Sequence, residues 1–198
     1  DQSEFTEADY RRFLRELMKE TLLLRSWIKE GRFCNNSDTM GMELEGWIVD
    51  RNSALPRPIN QEYLSKLSHP QVVSELSKFN IELNSHPVCI QDNGFYKLQN
   101  EMESLWDQCQ KKAAEFDSNL LMVGSAPTLT QCMLGRENMS EGNRYGVLNN
   151  QLFRNIDNQS VRIHMTGEDK LDFISQNVLP ASAATSLQIQ WKVPAKQA

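Results

Sequence analysis

Two glutamates, Glu43 and Glu45, stand two residues apart in the run Met40-Gly41-Met42-Glu43-Leu44-Glu45-Gly46-Trp47-Ile48-Val49-Asp50. Side chains on a strand alternate between two faces. As a strand, this run sets Met42, Leu44 and Ile48 against Glu43, Glu45 and Trp47. The two carboxylates then lie roughly 7 Å apart along the chain. Like charges at that distance repel, and a bound cation reverses the sign of the interaction.

Two further stretches repeat the design. In Phe79-Asn80-Ile81-Glu82-Leu83-Asn84, the apolar pair Ile81 and Leu83 opposes Asn80, Glu82 and Asn84. In Thr185-Ser186-Leu187-Gln188-Ile189-Gln190-Trp191, Leu187, Ile189 and Trp191 oppose Ser186, Gln188 and Gln190. A sheet of these strands is apolar behind and lined with oxygens in front, a donor set suited to hard cations such as magnesium. The competing reading of each carboxylate is a solvated sheet face. Gln188 and Gln190 could equally be amides bound to backbone. His69, His86 and His164 are isolated, and no catalytic side chain is assigned.

Helices must cover the apolar side. Thr6 and Asp9 have capping-box spacing, and Phe5 and Tyr10 have staple spacing. Tyr10, Phe13, Leu14, Leu17, Met18, Thr21, Leu24 and Ile28 then recur at helical intervals, with Gly31 as the stop. Residues 33 to 39 form a polar loop, and 51 to 58 a turn-rich connector. Asn60 is expected to cap a helix through Leu67, and Pro70 to open another to Lys78. Asn93 precedes a stripe of Phe95, Leu98, Met102, Leu105, Trp106, Cys109, Ala113 and Phe116. A strand over 120–123, a helix over 144–153, a short strand over 162–165 and a helix over 170–178 follow. A last strand covers 185–193. The order gives an α+β class, with a leading helix over 1–32 and a sheet core with helices over 40–193 in one domain spanning 1–198.

The chain has 198 residues, 39% of them hydrophobic, which suits a globular domain. A net charge of −5 argues against nucleic acid as a partner. No apolar run approaches the length of a membrane span and no signal peptide is visible, so no membrane partner and a cytoplasmic location are expected. Cys34, Cys89, Cys109 and Cys132 lack the C-x-x-C spacing of a zinc site. No G-x-x-x-x-G-K-[ST] run is present, so a P-loop is excluded.

The ordered set Gly41-Met42-Glu43-Leu44-Glu45, Ile81-Glu82-Leu83-Asn84, Gly124-Ser125-Ala126-Pro127, Arg144-Tyr145 and Ala184-Thr185-Ser186-Leu187-Gln188-Ile189-Gln190 resembles the second family of glutamate–cysteine ligases and the related carboxylate–amine ligases. The resemblance spans about residues 35 to 193. It implies a glutamine synthetase-like fold: a curved, mainly antiparallel sheet with helices on one face, present here as the N-terminal portion of a longer catalytic domain. Family enzymes continue past the Gln-x-Gln strand, and many carry histidine where this chain has Gln190. The 198-residue chain alone is therefore expected not to turn over ATP. Sheet strands without a neighbour suggest a homo-oligomer paired through an exposed edge.

The implied activity joins the γ-carboxylate of glutamate to an amine, cysteine being the first candidate, as in glutathione biosynthesis. ATP is the cosubstrate, with magnesium or manganese. Carboxylates acylate amines poorly at neutral pH, so such enzymes form an acyl phosphate, and the protein's task is positioning and charge neutralisation. Glu43, Glu45, Glu82 and Gln188 would be metal ligands. Arg144, Asn84 and Gln190 would contact substrate or nucleotide, Arg144 as a two-pronged donor. The alternatives are the same fold with another acceptor, and a non-catalytic binding or regulatory module.

Overall fold

The computed structural model describes residues 5–33, 38–156 and 160–194. The expected loop over 33–39 lies partly outside them, as does Cys34. The architecture is α+β and its sheets are antiparallel. Its axis is a 12-residue strand, β1 (Thr39–Asp50). α2 (Asn60–Leu67) leads to the short β2 (Val72–Ser74), followed by β3 (Asn80–Asn84) and β4 (Val88–Cys89). α3 (Gly94–Ala114) and β5 (Ser118–Leu121) come next, then α4 (Asn143–Asn155), the hairpin β6 (Val161–Thr166) and β7 (Lys170–Ser175), and β8 (Leu187–Lys192). β3 and β4 line one flank of β1, while β8 and β5 line the other. β2 lies outside β3.

The alternation expected for β1 and β3 holds. Leu44, Ile48, Ile81 and Leu83 turn to one face, where Tyr63 of α2 and Met102, Leu105, Cys109 and Ala113 of α3 cover them. Full burial of such side chains is worth roughly 1.5–3 kcal/mol each. The Tyr63 hydroxyl donates to the Cys109 carbonyl at 2.8 Å, and burial pushes the Cys109 thiol up to about 11, which makes it an inert core residue. A Cβ on Gly46 would stand 3.2 Å from the Trp106 ring, so that glycine lets α3 approach β1 closely. On the opposite face Trp47 is fully buried and stacks on Phe79 at 6.2 Å. Its indole N–H points at the Val123 carbonyl (3.1 Å) and Thr185 Oγ1 (3.2 Å).

Several expectations are corrected. The stretch from Pro70 is not a helix: Val72 and Val73 are β-branched, and the segment pairs with the outer edge of β3. Residues 170–175 are strand, because Lys170-Leu171-Asp172-Phe173-Ile174-Ser175 pairs along the whole of β6, with Arg162 and Asp172 joined across the hairpin at 2.8 Å. Asn60 is the first residue of α2 rather than its cap. Its buried Nδ2 reaches the Ser77 and Asn80 carbonyls (both 3.1 Å) and Ser140 Oγ (2.8 Å), pinning α2 to the loop before β3. Asn93 occupies the cap position of α3 without a side-chain bond. α3 buries Leu98, Met102, Leu105, Cys109 and Ala113 as expected, but leaves Phe95 exposed. The apolar side of β8 is also uncovered, with Leu187, Ile189 and Trp191 all exposed.

α1 (Glu7–Lys29) begins at Thr6, whose capping box with Asp9 is complete, and Phe5 meets Tyr10 edge-on at 6.1 Å. Gly31 follows its end at φ +65°, a conformation that favours glycine. None of its 23 residues is buried. Its first turn touches α4, where Glu7 pairs with Arg154 (2.9 Å), Arg154 covers the Tyr10 ring and the Tyr10 hydroxyl meets Gln151. Among the described residues no helix is long and apolar enough to cross a membrane.

Candidate functional site

Strand register assembles the site. Glu43 lies opposite Asn84 on β3 and Gln188 on β8. Glu45 lies opposite Glu82, and Gly41 opposite Gln190. Because side chains alternate, this register places Glu43, Glu45, Glu82, Asn84, Gln188 and Gln190 on one face of three adjacent strands. Directly opposed Cβ atoms stand roughly 4.5–5.5 Å apart, so Glu45 and Glu82 form a like-charged cross-strand pair. Glu43, Asn84 and Gln190 line a groove of about 630 Å³, with Gly41, Ser85, Trp191 and others.

Neighbouring donors orient these carboxylates. Glu45 accepts from the Ser186 hydroxyl (2.9 Å) and the Ser186 N–H (3.2 Å), with Gln188 Nε2 at 3.5 Å. Glu82 Oε1 accepts from Asn84 Nδ2 at 2.9 Å. Gln188 thus turns its amide nitrogen, not its oxygen, toward Glu45. An amide flip would exchange the two.

Arg144 stands at the start of α4, exposed, with its guanidinium carbon 5.7 Å from the Tyr145 ring centre. The Tyr145 hydroxyl donates to the Ser74 carbonyl of β2 at 2.9 Å. Burial raises the Tyr145 pKa; the Glu75 and Glu82 charges add to the rise, and Arg144 opposes it. Tyr145 therefore lies beside the strip on its β2 side, and Arg144 packs against Tyr145.

Glu75, directly after β2, is a residue that sequence reading missed. Its strand parity matches Val73, which faces Glu82. It comes within hydrogen-bonding reach of Glu82 and feels the charge of Glu45. Burial raises its pKa most. The Leu76 N–H, donating to Glu75 at 3.0 Å, works the other way, and Glu82 and Glu45 push it further up. The signal lay in a strand pattern over 72–75, hidden by the helix expected there.

Magnesium usually keeps several waters and takes one or two carboxylates plus phosphate oxygens. The opposed pair Glu45 and Glu82 suits that partial coordination, with Glu43 and Gln188 beside it. A closed cage is absent: among the described residues no three His, Cys, Asp or Glu side chains group so as to hold a metal ion. No family model, curated protein or solved structure matches the chain.

Proposed function

We propose that the oxygen-lined strip binds a magnesium-complexed nucleotide, and that the chain is part of an ATP-dependent carboxylate–amine ligase with a glutamine synthetase-like fold. The observation that carries this reading is register: residues from three separate stretches, 43–45, 82–84 and 188–190, meet on one face. Bound magnesium would neutralise phosphate charge beside Glu45 and Glu82. Glu43 and Gln188 would complete or buttress that binding. Arg144 would pair with a substrate carboxylate or phosphate. Asn84 and Gln190 would orient polar substrate groups in the adjoining groove. In the first half-reaction a carboxylate oxygen, that of glutamate's γ-carboxylate, bonds to the terminal phosphorus of ATP and ADP leaves. In the second, the amine nitrogen, cysteine's first, bonds to the acyl carbon and phosphate leaves.

Titration calorimetry of Mg·ATP into the 198-residue chain tests the site. Saturable binding is expected, weakened roughly tenfold or more in Glu45→Gln/Glu82→Gln, since each ligand contributes on the order of 1–3 kcal/mol. Equal binding by both proteins rejects the assignment. The second reading, a non-catalytic binding module, is favoured by the donors already engaging Glu45 and Glu82. It predicts the same fold with no metal-dependent nucleotide affinity.

A further inference from the structure

α1 carries an apolar pattern of which, among the described residues, only the first member, Tyr10, is packed against another element. Tyr10, Leu14, Leu17, Thr21, Leu24 and Ile28 are spaced four, three, four, three and four residues apart, the seam of a heptad repeat. Tyr10 already packs beneath Arg154 of α4. From Leu14 onward the seam faces solvent: Leu14 is 57%, Leu17 45%, Leu24 47% and Ile28 62% exposed. The Thr21 hydroxyl donates to the Leu17 carbonyl at 2.6 Å, so it brings no unmet polar group to the seam. Lys19 and Glu16 pair at 2.8 Å on the opposite, outer side of the helix.

We infer that α1 is a dimerisation helix that forms a parallel two-stranded coiled coil with α1 of a second copy. Three features select this occupant. Spacing assigns Leu14, Thr21 and Ile28 to the a positions and Leu17 and Leu24 to d. Isoleucine at a with leucine at d favours two parallel strands, and Ile28 beside Leu24 supplies that combination at the C-terminal end of the seam. Charge gives the direction. Glu20 falls at g and Arg25 at the following e, the two positions that meet across a parallel dimer. The two-fold axis makes that attraction twice. An antiparallel pairing would instead oppose Arg11 with Arg25 and Glu20 with Glu20. Phe13, Met18 and Trp27 fill three further g and e positions and widen the apolar seam, and Arg11 takes the first e position. Leu22 and Leu23 stay outside it. At 23 residues, α1 is about 34 Å long.

Sedimentation equilibrium on the full chain tests the inference. The wild-type chain is expected to be a dimer, and Leu17→Glu/Leu24→Glu a folded monomer. Unchanged strand signal by circular dichroism separates loss of pairing from loss of fold, because no α1 residue is buried. Glu20→Arg and Arg25→Glu should each raise the dissociation constant roughly tenfold. The double variant Glu20→Arg/Arg25→Glu should restore it, and a mixture of the two single variants should form heterodimers. A monomeric wild type overturns the inference, including one that binds anionic vesicles through α1. So does a dimer indifferent to Leu17→Glu/Leu24→Glu, which would place the interface at a sheet edge. Failure of the double variant to recover overturns the parallel arrangement.

Discussion

Glu75 is the carboxyl group that the strip accommodates at greatest cost. It is partly buried and faces two further carboxylates. Its pKa in the fold is raised from an ordinary value of 4.5. The stability it lends is complete below that value and is lost as pH rises through the folded pKa. Wild-type stability to urea should therefore fall from pH 4.5 toward neutrality relative to Glu75→Gln, whose profile loses that component. Parallel profiles would show that Glu75 is not strained. Replacing Glu82 by glutamine removes a directly opposed like charge from Glu45 and should raise stability at neutral pH by about 0.2–1 kcal/mol, measured by the same denaturation. Magnesium should raise the wild-type midpoint and leave Glu45→Gln/Glu82→Gln unmoved. Asn60 is the contrasting case. Its buried amide nitrogen donates into the loop before β3, and Asn60→Ala should cost about 1–3 kcal/mol by removing the bonds that tie α2 to that loop, although the Ser77 and Asn80 carbonyls keep backbone donors.

At the scale of elements, α3 divides into a buried stripe and a bare first turn. Leu98→Ala should lose about 2–5 kcal/mol in urea unfolding, whereas Phe95→Ala, 63% exposed, should stay within about 0.5 kcal/mol. Equal losses would contradict the placement of α3. The elements legible in the sequence were those with a strong period or a closed local motif. The period-two alternation of β1 and β3 fixed which side carries Glu43, Glu45 and Glu82. The Thr6–Asp9 box marked the start of α1, and the 98–113 stripe marked α3. β2 and β7 were not legible, because three to six residues of mixed pattern carry little information until a partner edge is present. Pairing with β3 and β6 decided them. The cross-strand match of Glu45 with Glu82 was likewise invisible, since register depends on neighbours far apart in sequence. Glu75 was lost with β2. The apolar residues of β8 were expected to be covered, but α3 does not extend over them.

The whole molecule is organised about β1, which has a partner on both flanks along nearly its full length, whereas among the described residues β6 and β7 pair only with each other. In deuterium exchange, the amide protons at the centre of β1 should survive until global opening, while those of the hairpin should be lost much sooner. The carboxylates at 43 and 45 therefore ride on the segment that breathes least. Their spacing becomes a constant of the folded state, and fraying of the hairpin would not reach the groups proposed to meet a ligand.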